Sequence, residues 1–155
     1  MTFRITPLDS QPFRHLYGLP DDLLARQGVR RMKVDEVPGF PCRVSLDDAP
    51  VGSSVLLLNH EHMPIPSPYR ARHAIFVREG AEAVYPEPGE IPSAIACRLI
   101  AVRAYDAEGM MKDAEIDEGV NIVPIIERMF DDPEVSFIQL HNARRGCFAA
   151  NVSRV

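Results

Sequence analysis

Hydrophobic and polar positions alternate at several points along the chain and so predict short strands, while one stretch repeats at helical spacing. Residues 53–62 and 71–78 are rich in Val, Leu, Ile and Phe and end in turn residues, which predicts two strands. Residues 98–105 and 110–115 flank Asp106-Ala107-Glu108-Gly109, a link of hairpin length, and residues 135–141 and 147–153 flank a second such link at 142–146. Shorter extended pieces are expected at 2–6, 29–34 and 42–46. Ile122, Ile125, Ile126, Met129 and Phe130 recur at i, i+3, i+4, i+7 and i+8, one apolar face of a helix. Asn121 is its expected cap, Pro124 falls in its first turn, and Pro133 prevents its continuation. Two brief N-terminal helices are also expected. The first has Ser10 as cap, Pro12 in its first turn and Gly18 at its end. The second opens at Pro20, carries Asp21 and Asp22 at its positive end, and stops at Gly28. A single helical turn fits 92–96. About nine short extended segments, several hairpins and no regular strand-helix alternation predict an α+β fold with a mainly antiparallel sheet.

Composition narrows this picture. The 155 residues suit one domain spanning 1–155, and an apolar fraction of 46% with 25% charged residues is that of a folded globular body. The chain carries 14 prolines beside 9 glycines, and the prolines cluster at 38/41, 64/66/68 and 86/88/92, between the predicted elements. They read as loop stiffeners and not as a continuous polyproline linker. A formal charge of −5, from 17 basic and 22 acidic side chains, argues against a broad nucleic-acid surface but permits a local basic pocket. No apolar run approaches bilayer length, the N-terminus lacks the pattern of a secretory signal, and three cysteines without paired spacing read as reduced thiols; a cytoplasmic protein is expected.

Four groups of residues carry candidate chemistry. Asn59-His60-Glu61-His62 ends a strand, where residues two apart share a face. His60 and His62 can therefore present two imidazoles to a divalent metal, completed by His73 or His141, or they are ordinary histidines at an exposed strand end. The segment 67–78 gathers Tyr69, Arg70 and Arg72 beside His73, offering a phenol, two cations and a ring that titrates near neutrality; His73 is alternatively a core histidine bonded to a backbone carbonyl. The turn 141–147 brings His141, Asn142, Arg144, Arg145 and Cys147 within seven residues. Arginine forks suit a carboxylate or phosphate, and positive charge beside Cys147 favours the thiolate that nucleophilic catalysis needs, with His141 as its base across the hairpin. Against this stands a plain basic turn in which Gly146 supplies φ > 0 and Cys147 is a small buried hydrophobe. Phe40-Pro41-Cys42-Arg43 adds a rigid loop with one more arginine. There is no CxxC pair, phosphate-binding glycine loop, GxSxG elbow or dinucleotide fingerprint, so P-loop, Rossmann, thioredoxin-like and α/β-hydrolase chemistries are disfavoured.

The segments GFPCRVSL (39–46), SPYRARHAIFVREG (67–80), YDAEGMM (105–111) and HNARRGC (141–147) resemble those of a small bacterial family of unknown function. The resemblance implies a compact single-domain protein and no particular reaction; its polar motif positions fall here on Arg43, Arg70, His73, His141, Arg144 and Cys147. The leading expectation is a pocket for a small anionic molecule lined by Arg43, Arg70, Arg72, Arg144 or Arg145. If it is catalytic, His73 or His141 serves as acid or base. Two alternatives are a non-enzymatic interaction or homo-oligomeric module that uses strand edges, and a metal-dependent enzyme built on the histidines.

Overall fold

A computed structural model describes residues 2–155. Eight strands fall into two antiparallel sheets among these residues. The strands are β1 (Phe3–Thr6), β2 (Arg30–Lys33), β3 (Ser54–Met63), β4 (Ala71–Arg78), β5 (Leu99–Tyr105), β6 (Met111–Glu118), β7 (Phe137–Asn142) and β8 (Phe148–Arg154). The larger sheet has the order β1-β8-β7-β5-β6 and the smaller β2-β3-β4. Three short α-helices, α1 (Asp21–Arg26), α2 (Ser93–Ala96) and α3 (Val123–Phe130), and two 3-10 turns, Gln11–Leu16 and Gly119–Asn121, complete an α+β single domain that is mostly sheet. Among the described residues no helix is long and apolar enough to cross a membrane.

The helical periodicity produces α3, whose Ile125, Ile126, Met129 and Phe130 are buried together with Ile122. They meet Ile100, Val102, Ile138, Leu140 and Val152, alternate residues of β5, β7 and β8, and form the main core. Asn121 does not cap this helix. It lies in the preceding 3-10 turn, with its amide donating to Asp117, and Ile122 takes the capping position without a side-chain bond. At the N-terminus the first expected helix is the 3-10 turn Gln11–Leu16; Ser10 takes the expected capping position, but its hydroxyl donates to Glu82 and makes no capping bond. The second forms as expected from Asp21, and Gly28 takes φ 72° just beyond its end.

The expected extended piece at 42–46 is not a strand. It is an irregular strap between the sheets, joined to each by single bridges and bonds: Cys42 bridges Phe76 of β4, and the Arg43 guanidinium donates to the Phe148 carbonyl of β8. Cys42 and Val44 sink into the core of the smaller sheet and Leu46 into that of the larger. This packing sets the course of the segment against its local pattern.

Candidate functional site

The strap, the β7–β8 turn and the junction of α2 with β5 bound a cleft of about 460 Å³. The strap gives Arg43, the junction Cys97 and Arg98, the turn Asn142, Arg144, Arg145 and Cys147, and the smaller sheet His73 and Phe76; Glu118 at the end of β6 is the only carboxylate in the lining. Backbone pairing fixes this convergence. Ile100 pairs with Asn142, and the Ala143 N–H donates to the Leu99 carbonyl at 3.0 Å, so the basic turn lies beside Cys97 and Arg98. Gly146, at φ 78°, closes the turn in a conformation that side-chain-bearing residues rarely adopt.

Arg43 is 2% exposed and pairs with no carboxylate among the described residues. Its Nε donates to the Phe148 carbonyl at 2.8 Å, Nη1 to the Pro41 carbonyl at 2.6 Å, and Nη2 to Cys147 Sγ at 3.1 Å. Burial lowers its pKa from the ordinary arginine value, and the neighbouring Cys147 sulfur offsets part of that. Arg98, in contrast, forks onto both carboxylate oxygens of Asp48. Burial of the Asp48 carboxyl acts upward, yet the guanidinium holds it below its ordinary range. Arg144 and Arg145 are exposed and have no carboxylate partner among the described residues.

Five sequence candidates therefore meet in one cleft: Arg43, His73, Arg144, Arg145 and Cys147. His73 is exposed, not a core histidine, and its Nδ1 lies 3.2 Å from the Ala74 carbonyl. The structure does not bring Tyr69, Arg70 or Arg72 there. Tyr69 stands edge-on to Tyr105, Arg70 pairs with Glu61 at 3.1 Å, and Arg72 donates to Asn59. His141 is also absent from the lining. It is 1% exposed in β7, with Nδ1 3.1 Å from the Gly146 carbonyl and Nε2 3.2 Å from Gln139 Oε1. His62 Nδ1 reaches the same Gln139 oxygen at 3.0 Å, and its ring stacks on Phe148. His60 packs edge-on against Phe13. Among the described residues no group of three or more His, Cys, Asp or Glu is placed to hold a metal ion. His60, His62 and His141 belong to a packed aromatic and amide cluster.

Sequence reasoning overlooked Cys97, Arg98 and Asp48. One signal was present: the dipeptide Cys-Arg occurs at 42–43 and again at 97–98, and both arginines line the cleft.

Fold and site define a two-sheet α+β domain with an arginine-rich cleft between its sheets. Residues 39–154, which contain every cleft residue named above, match the family described as protein of unknown function (DUF1203), and the chain belongs to that family. No curated protein and no solved structure matches it.

Proposed function

We propose that the cleft binds a small anionic molecule, a carboxylate or a phosphate. The observation that carries this reading is the charge of the lining: Arg43, Arg98, Arg144 and Arg145 face Glu118 alone, and three of these four guanidiniums have no acidic partner among the described residues. Guanidinium forks match planar or tetrahedral oxyanions, and low-dielectric walls strengthen the attraction. His73, exposed in the same lining, is the group placed to give or take a proton from such a ligand. The setting we propose is the bacterial cytoplasm: the three cysteines are all free, which fits a reducing compartment, and the resembling segments are bacterial.

Thermal unfolding with inorganic phosphate or succinate at constant ionic strength tests the proposal. A probe at about 100 times its Kd stabilises by about 2.7 kcal/mol, which raises Tm by roughly 5 to 10 °C in a chain of this size. The Arg144→Ala/Arg145→Ala double variant is expected to keep its own Tm and lose that shift. An equal shift in wild type and variant, or none with either probe, would overturn the reading.

A further inference from the structure

The cleft holds two thiols that both accept from an arginine, but only one of them has acceptors for its own S–H among the described residues. Cys97 Sγ donates toward Asp48 Oδ2 at 3.7 Å and the Ala94 carbonyl at 3.8 Å, and accepts from Arg98 Nη1 at 3.4 Å, a guanidinium that Asp48 already neutralises. Burial pushes that thiol up; the Arg98 charge acts against it, and Asp48 adds to the rise. Cys147 Sγ is an acceptor twice over, from Arg43 Nη2 at 3.1 Å and from Asn142 Nδ2 at 3.5 Å. No acceptor for an S–H of Cys147 is present among the described residues. Two N–H donors converge on this one sulfur, and one of them is a buried cation that no carboxylate among the described residues neutralises.

A second observation sits beside the first. Asn142 is 8% exposed, lines the cleft, and its Oδ1 has no hydrogen-bond partner among the described residues. A buried carbonyl oxygen left without a donor is costly, and here the cost is borne by the side chain whose amide nitrogen reaches Cys147.

We propose that Cys147 is the nucleophile of this cleft, with Arg43 and Asn142 as positioning residues, and that it attacks an electrophilic carbon of a small anionic ligand. A sulfur–carbon bond forms, the bond from that carbon to its leaving group breaks, the leaving group departs with the electron pair, and the thiol proton passes to water. The ligand's charge rests on the anion-binding reading above; the sulfur's reactivity does not.

Alkylation of the full chain at neutral pH, with each cysteine followed by peptide mass spectrometry, separates the two. Neutral iodoacetamide reads the sulfur alone. Cys147 is expected to react about tenfold faster than Cys97 although Cys97 is the exposed thiol. Anionic iodoacetate reads the charge of the cleft, and at Cys147 it is expected to outpace iodoacetamide until Arg144→Ala/Arg145→Ala removes its advantage. Arg43 also holds two backbone carbonyls, so Asn142→Asp is the cleaner variant: it keeps the side-chain size and replaces the donor with a charge. It is expected to slow Cys147 about tenfold while the rate at Cys97, in the same molecule, reports an intact fold. Labelling of Cys97 ahead of Cys147, or an unchanged Cys147 rate in Asn142→Asp, overturns the proposal. Fast iodoacetamide labelling of Cys147 without an iodoacetate advantage overturns the anion reading and leaves the nucleophile standing.

Discussion

Gln139 holds His141 through an oxygen that His62 also uses. The Gln139 amide nitrogen donates to the His62 carbonyl at 2.7 Å, which turns Oε1 toward both imidazoles, 3.0 Å from His62 Nδ1 and 3.2 Å from His141 Nε2. The other nitrogen of His141 faces the Gly146 carbonyl. The ring is thus placed between two acceptors, but burial first, with Arg103 adding to it, holds its pKa down to about 3. In the unfolded chain the same ring takes up a proton near 6.5. Between these values the unfolded state binds more protons, so stability falls as pH drops below 6.5; His62 and His60, also lowered chiefly by burial, act in the same direction. At pH 5 the loss from His141 alone is about 2 kcal/mol. Urea unfolding at pH 7 and pH 5 measures it, and equal stability at the two values would refute this account.

The strands were legible wherever one face is buried and the other is not. β4 occupies the expected residues, and β3, β5, β7 and β8 fall within two residues of the expected ends. β6 runs three residues further than its pattern predicts, to Glu118, because pairing with β5 carries an edge strand whose own side chains are largely exposed. The strap at 42–46 misleads for the opposite reason: its apolar residues serve two cores at once, which no local period encodes. The site shows the same division. Turn chemistry located Arg144, Arg145 and Cys147, but residue type does not reveal what covers a strand. β7 is the central strand of its sheet, between β8 and β5, with α3 over one face and the end of β3 against the other, so His141 is enclosed. Tyr69, Arg70 and Arg72 neighbour His73 in sequence, yet their partners, Tyr105, Glu61 and Asn59, hold them outside the cleft.

Gly119 shows how tightly α2 packs against the turn that follows β6. Its N–H donates to the Arg98 carbonyl at 2.7 Å, and a Cβ at this position would lie 1.9 Å from the Ile95 carbonyl oxygen and 2.9 Å from Ala96 Cα. Both contacts are to backbone, so relief requires α2 to move away from the turn that follows β6. Gly119→Ala is expected to destabilise the fold by about 3 kcal/mol or more. Urea midpoints measure the effect, and a loss below about 1 kcal/mol would show that α2 shifts freely.

Asp48 and Arg98 couple stability to the cleft with opposite signs. The carboxylate accepts the Arg98 fork, the Gly39 N–H at 3.2 Å and the Cys97 thiol, and its side chain is 9% exposed. It neutralises the one cleft arginine that has an acidic partner. Asp48→Asn keeps the shape and one acceptor oxygen but removes the charge, leaving Arg98 half-enclosed without its counterion. The expected cost is about 2 kcal/mol of folding stability. The same substitution frees the Arg98 charge for a bound anion and is expected to strengthen phosphate binding by about 1 kcal/mol, roughly fivefold in Kd. Urea unfolding and phosphate titration of the one variant read both effects. Weaker folding with tighter binding is the signature of a cleft whose charge Asp48 holds in check; a parallel loss of both would place Asp48 among the groups that shape the binding surface itself.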